Sequence, residues 1–237
     1  MKDFKEIVES KMLARSNTMG PFTKLMSYLG EALPKKDNRI ADILSGNNAS
    51  MVYSGLGLIG KGGEFIMIDA REDFPYETVT NIAGKDFLPK PKDYYMNTES
   101  GKDDVRRVLS TIGVIPYVAK IPPYPQDIKP NSLDAVTCVN SLFEFQGDKK
   151  SLVEETEKLI RPGGVFLAQE WFFQDLQNLL RAGRETLSSH FDLITAKYEN
   201  LYKSKWALLK KREIPRTSEE AKAQCWNFDL SEEMEEI

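Results

Sequence analysis

A chain of 237 residues, 41% hydrophobic and 10% aromatic, can bury the core of one fair-sized domain and is not a disordered polymer. Its formal net charge of −4 and isoelectric point near 5.3 give no basic face, which disfavours nucleic acid as substrate or partner. Its two cysteines, Cys138 and Cys225, are too few and too far apart for a disulfide framework or a zinc site, and no run approaches the roughly 18 apolar residues of a membrane span.

The N-terminus, MKDFKEIVESKMLARSN, has no apolar stretch of the secretory kind, so a cytoplasmic location is expected. Phe4, Ile7, Val8 and Met12, then Phe22, Leu25, Met26 and Leu29, recur at helical spacing and predict two helices. Ser16-Asn17-Thr18 and Gly20-Pro21 separate them, with Pro21 suited to a first turn. Such helices either pack on a sheet or form a lid over a substrate pocket.

Arg39 to Asp73 is the organising stretch. Ile40, Ile43 and Leu44 form a short apolar run that stops at the turn formers Ser45-Gly46-Asn47-Asn48. Ala49 to Ile59 reads as a helix with Asn48 as N-cap, ended by Lys61-Gly62-Gly63. Phe65-Ile66-Met67-Ile68 is a continuous apolar run suited to a strand buried on both faces, and Asp69 closes it. A polar turn after the first strand and an acid after the second make a nucleotide-type crevice in a parallel sheet. Gly55-Leu56-Gly57-Leu58-Ile59-Gly60 fits the G-x-G-x-x-G pattern, but the strand from Glu64 leaves no room for the helix that motif must open. Gly55 and Gly57 are read instead as letting a helix lie close to its neighbours.

Residues 74–101 are rich in breakers and aromatics: Phe74-Pro75-Tyr76, Pro89, Pro91, Asp93-Tyr94-Tyr95 and Glu99-Ser100-Gly101. They read as a long loop, either a surface excursion or the wall of a substrate pocket built from Tyr76, Phe87, Tyr94 and Tyr95. A helix over Asp103–Ile112 stops at Gly113, and a strand over Ile115–Ile121 runs into Pro122-Pro123-Tyr124-Pro125. Leu133–Val139 is a buried strand, Asn140–Phe145 a polar and aromatic turn, and Leu152–Ile160 an amphipathic helix. Arg161-Pro162-Gly163-Gly164 then turns into the strand Val165–Gln169. Gln174–Ser189 makes another helix, and Phe191–Tyr198 with Lys203–Lys211 an antiparallel strand pair. The acidic tail from Glu213 is broken by Pro215; it either docks through Trp226 and Phe228 or stays disordered.

DILSGNN (Asp42–Asn48), EFIMID (Glu64–Asp69) and LVEETEKLIRPGGVFL (Leu152–Leu167) together resemble the class I S-adenosylmethionine-dependent methyltransferases over about residues 39–212. The resemblance implies a Rossmann-like, doubly wound α/β fold with a seven-stranded sheet, mostly parallel with an antiparallel final strand. Residues 1–38 would be an N-terminal helical cap, 39–212 the methyltransferase-like domain with 74–101 as a loop insertion, and 213–237 an acidic tail. The implied cofactor is S-adenosyl-L-methionine. Ser45, Gly46, Asn47 and Asn48 would face its methionine part and Asp69 would accept from its ribose diol, with Asp42, Leu44 and Ala70 beside them in the cofactor-binding set. Lys120 and Ile121 stand where the family meets the adenine, and Val139 and Asn140 where it lines the methyl-transfer centre.

The chain departs from the family pattern at three places. Leu44 and Asn48 occupy glycine positions, and Lys120 stands in place of an acid. Glu144 is the one ionisable group in Phe143-Glu144-Phe145, where the family often has His or Glu. It is the catalytic candidate, as base or orienter of an acceptor, with a helix-start acid as the plainer alternative. His190 and Cys138 read as structural, and no metal-ligand cluster is visible. The implied activity is methyl transfer to a small-molecule acceptor. The departures favour a second reading, a catalytically inactive relative that binds or assembles with a protein partner or a second copy of itself. Methylation of protein or RNA would need a broad exposed surface, for which only the aromatic stretch and the tail are candidates.

Overall fold

The computed structural model describes residues 3–15, 21–33, 37–46, 49–170, 172–199, 204–225 and 235–236. Among these described residues, eight strands form one sheet in the order β3-β2-β1-β4-β5-β7-β6-β8. They are β1 (Arg39–Ile43), β2 (Glu64–Asp69), β3 (Val114–Val118), β4 (Leu133–Val139), β5 (Ile160–Glu170), β6 (Phe191–Glu199), β7 (Ser204–Lys211) and the two-residue β8 (Glu235–Glu236). β2 pairs parallel with β3, and β4 with β5, whereas β7 runs antiparallel to both of its neighbours, β5 and β6. This is the mixed, mostly parallel α/β sheet that the sequence predicts, with β8 added parallel to β6 at the edge. The reason lies in the uninterrupted apolar runs: β4 is buried at every position and β2 at all but its first, as interior strands covered on both faces must be.

By its internal contacts the chain divides into two compact units, residues 1–40 with 45–119, and residues 41–44 with 120–237. In the first, α1 (Phe4–Arg15) and α2 (Pro21–Ala32) fall where helical spacing puts them. Phe4 meets Phe87 at 5.4 Å between ring centroids, and Lys11 Nζ donates to the Ile82 carbonyl at 2.6 Å. Gly55 and Gly57 both lie inside α3 (Ala49–Ile59), so the G-x-G-x-x-G pattern is no phosphate loop. Only Gly55 serves close packing: a Cβ there would strike the Phe65 ring, while one at Gly57 would meet open space.

The expected loop over 74–101 is helical. It comprises α4 (Phe74–Ala83), a 3-10 turn over Lys85–Phe87, α5 (Lys92–Asn97) and the start of α6 (Glu99–Ser110). Most of the breakers sit at helix ends, and only Pro89 falls in a short connection, between the 3-10 turn and α5. Pro75 falls in the first turn of α4, where a missing N–H costs nothing, Pro91 is the N-cap residue of α5, and the Thr98 hydroxyl caps α6 by accepting from Gly101 N–H at 3.0 Å. Phe74, Thr78, Val79 and Ile82 are buried at helical spacing. β3 ends at Val118, short of the expected Ile121. The last ladder-like bond runs from Ala119 N–H to the Asp69 carbonyl at 2.9 Å, where the partner strand β2 itself ends.

In the second unit, Arg161-Pro162-Gly163-Gly164 lies within β5. Leu133 pairs with Ile160 but Ala135 pairs with Val165, so the motif is a bulge. Gly163 takes φ +74°, and Arg161 Nε donates to Asp134 Oδ1 at 2.6 Å across the bulge. α7 (Lys149–Leu159) starts at Asp148, whose carboxylate accepts from Lys150 and Ser151 N–H, each at 3.1 Å. The single helix expected over Gln174–Ser189 is two, α8 (Phe173–Ala182) and α9 (Arg184–His190). Gly183 lies between them, and Val153 of α7 leaves no space for a Cβ there, 2.6 Å away. In the tail, α10 (Ser218–Gln224) is closed by a Thr217–Glu220 capping box, while Trp226 and Phe228 lie outside the described residues. No helix among the described residues is long and apolar enough to cross a membrane.

Candidate functional site

In the first unit the turn after β1 and the end of β2 are tied together. Ser45 N–H donates to the Ile68 carbonyl at 3.1 Å, and Ser45 Oγ accepts from Ile68 N–H at 3.2 Å. Asp69, 9% exposed, holds both of its oxygens to backbone: Oδ2 accepts from Gly46 N–H at 2.7 Å and Oδ1 from Arg71 N–H at 2.8 Å. Ser45, Gly46 and Asp69 are thus brought together as the sequence anticipates, with Ala70 exposed beside them. Gly46 takes φ +57°, the left-handed conformation that glycine supplies at least cost. Asn47 and Asn48 lie outside the described residues.

Arg71 was not singled out from the sequence. Its Nε stands 3.4 Å from Asp69 Oδ1, and its guanidinium lies so close to Gly46 that a Cβ there would be 3.3 Å from Nη2. The guanidinium therefore flanks the open side of the glycine. Nothing in a strand-and-turn motif search points to a residue two places past the acid.

In the second unit, Asp42 is 1% exposed and accepts from the Thr137 hydroxyl at 2.6 Å. Leu44 takes φ +57°, the same left-handed region as Gly46, although it carries a branched side chain. Lys120 is exposed and Ile121 buried. Val139 ends β4 at 7% exposure, and Asn140 follows at φ +55°, its N–H donating to the Gln169 carbonyl at 2.9 Å. Glu144 is exposed in the turn that follows.

The buried acid at this end is Glu170, which sequence reasoning passed over. It is fully buried, and its Oε1 accepts from Ser141 N–H at 2.7 Å and Leu142 N–H at 2.5 Å. The loop after β4 is therefore clamped by the last residue of β5. The available signal was an acid closing an otherwise apolar strand. Beside it, Cys138 is fully buried, and burial, then Glu170 and Asp42, push its thiol well above the usual range. Phe143 and Phe172, in the segments that follow β4 and β5, are 50% and 62% exposed. Asn140 Oδ1 and Gln169 Oε1 are buried acceptors with no hydrogen-bond partner, a costly condition for a side-chain carbonyl. His190 is structural: its Nδ1 lies 3.3 Å from Glu157 Oε1, which also pairs with the buried Lys211 at 2.8 Å. Among the described residues no group of acids, histidines and cysteines is placed to hold a metal.

No family model matches the sequence, and no curated protein matches it. Solved structures do match in shape. An O-methyltransferase from Thermotoga maritima, S-adenosylmethionine-dependent, superposes with a TM-score of 0.54 at 14% identity, over 90% of this chain and 72% of the other. An S-adenosylmethionine-dependent methyltransferase from Aquifex aeolicus gives 0.52 at 13% identity, over 89% and 100%. Precorrin-6y C5,15-methyltransferase from Geobacter metallireducens gives 0.51 at 12%, over 83% and 91%. The chain has the class I methyltransferase fold. Identities this low carry architecture and leave the chemistry to be argued from the residues.

Proposed function

We propose that the protein binds S-adenosylmethionine and transfers its methyl group to a small-molecule acceptor. The observation that carries this is the Asp69 carboxylate, fixed at the end of β2 by the N–H groups of Gly46 and Arg71 beside a left-handed glycine turn. Each carboxylate oxygen has a second lone pair, so Asp69 can still accept from both hydroxyls of a ribose diol. The absence of a Cβ at Gly46 lets a ligand approach the backbone closely once the Arg71 guanidinium beside it swings aside. The residues therefore fit the cofactor, whose sulfonium supplies a methyl group already activated for transfer.

What remains for this chain is alignment, which accounts for the absence of a strong acid–base constellation among the described residues. Glu170 holds the start of the Asn140–Phe145 loop by the N–H groups of Ser141 and Leu142. Glu144 is the base candidate on that loop, free to turn toward an acceptor because it is exposed.

The test is calorimetric titration of the purified, ligand-free protein with S-adenosylhomocysteine. One-to-one binding at micromolar affinity is expected. The second reading, a non-catalytic binding or assembly module, is favoured by Lys120 standing in place of an acid and by Arg71 lying over Gly46. A folded protein that gives no heat, and elutes with a partner chain or as a stable oligomer, would establish it instead.

A further inference from the structure

A separate cavity of about 150 Å³ lies wholly within the first unit, among α4, α5, α6 and the edge strand β3. Its size suits one aromatic ring, since an apolar cavity of roughly this volume takes up benzene. The ring-facing wall is already arranged. Tyr76 and Tyr95 stand 5.8 Å apart at a 30° tilt, and Tyr95 is 4% exposed, with its hydroxyl held by Lys90 N–H at 3.2 Å. Met96 adds a polarisable thioether, which packs well on an aromatic face. Of the four aromatics in this stretch that the sequence singles out, Tyr76 and Tyr95 line the cavity, while Phe87 packs on Phe4.

The opposite wall is charged. Lys102 and Arg106 project into the cavity from successive turns of α6, with Val105 buried between them. Like charges four apart on a helix repel unless an anion is shared between them. The acids they now pair with, Glu99 at 3.3 Å and Asp103 at 2.9 Å, are 80% and 61% exposed on the same helix. Exposed pairs of that kind are weak and give way to a better anion. The one acid in the lining is Glu72. It disfavours a dianion such as phosphate and can accept a hydrogen bond from a hydroxyl.

We propose that this cavity binds a small hydroxylated aromatic monocarboxylate. The ring lies against Tyr76, Tyr95 and Met96, the carboxylate meets Lys102 and Arg106, and Glu72 accepts from the ring hydroxyl. The site is argued separately from the methyl-transfer reading: neither Gly46, Asp69 nor Arg71 lines it, and only Glu72 follows Asp69 in the same turn.

The experiment is titration of the full-length protein with 4-hydroxybenzoate, followed by tyrosine fluorescence and calorimetry, beside phenol as a probe that lacks the carboxylate. Saturable binding at one site is expected, weakened at least tenfold in Lys102→Met/Arg106→Gln and for phenol, and unchanged in Asp69→Asn. Both substituted side chains are substantially exposed, so the double variant should keep its fold, which its circular-dichroism melting curve checks. Absence of saturable binding to the wild type, undiminished binding to the folded double variant, or equal affinity for phenol would each overturn the proposal.

Discussion

Replacing Asp69 tests the candidate cofactor site, but the structure says the replacement must be chosen with care. The carboxylate accepts from Gly46 and Arg71 N–H at 2.7 and 2.8 Å, and its side chain is 12% exposed. Hydrogen bonds to a charged acceptor contribute roughly 1.5–3 kcal/mol each. Asp69→Ala strands both donors, although water entering the gap restores part of the loss, so a destabilisation of about 2–4 kcal/mol is expected. For a chain of this size that is a fall in Tm of roughly 4–16 °C. Lost ligand binding in the alanine variant could then reflect a frayed turn. Asp69→Asn keeps one acceptor oxygen and faces the other N–H with a donor; it should cost about 1.5–3 kcal/mol while the turn stays closed. Urea unfolding read through the buried Trp206 measures both variants, and S-adenosylhomocysteine titration follows at a temperature where each is folded. An alanine variant as stable as the wild type would refute the hydrogen-bond geometry. A folded asparagine variant that binds normally would refute the site.

Removing Arg71, which is 47% exposed and pairs with Asp69, should tighten S-adenosylhomocysteine binding. An exposed ion pair of about 0.2–1 kcal/mol no longer has to be broken, giving roughly a 1.4–5-fold gain; weaker binding in Arg71→Ala would show instead that the guanidinium holds the ligand. Glu170→Ala should lower stability by about 2–4 kcal/mol, by freeing Ser141 and Leu142 N–H, and Glu170→Gln by roughly 1 kcal/mol because an acceptor oxygen is kept. Equal urea midpoints for the two variants would refute the clamp. The Cys138 thiol, raised by burial, stays neutral at pH 8, so a thiol reagent should modify Cys225 quickly and Cys138 only on unfolding. Because the folded value is the higher one, this thiol's contribution is full below the unfolded value of about 8.5 and is lost as pH rises above it. Cys138→Ala should accordingly flatten the fall in urea midpoint between pH 8 and 10.

The layered fold was legible because its signals are redundant. Each interior strand is an apolar run flanked by turn residues, and the order of those runs with helices between them admits few topologies. The stretch 74–101 was misread because proline and glycine were counted as loop signals without asking where in a helix they would fall. Pro75 and Pro91 begin helices, and Gly101 is required where α6 passes the Tyr94 carbonyl. Gly183 failed in the other direction. One glycine inside a helical pattern reads as tolerated, and only the position of Val153 shows why this residue must be glycine.

The site was legible by a different measure. Matching residues to the glycine-rich motif makes the turn after β1 look degraded, since Leu44 stands at a glycine position. Yet Leu44 takes φ +57°, beside Gly46 at the same angle, so the backbone still follows a left-handed path that a branched side chain adopts at a cost of roughly 1–2 kcal/mol. Something must over-determine that path. The bonds of the residues that follow are sufficient: Ser45 exchanges two with Ile68, and Gly46 donates to the Asp69 carboxylate. The path of the turn is thus specified by the acid at the end of the next strand more than by glycine identity. A motif read letter by letter undervalues such a turn, and the acid 23 positions after Gly46 is the residue whose loss should matter most.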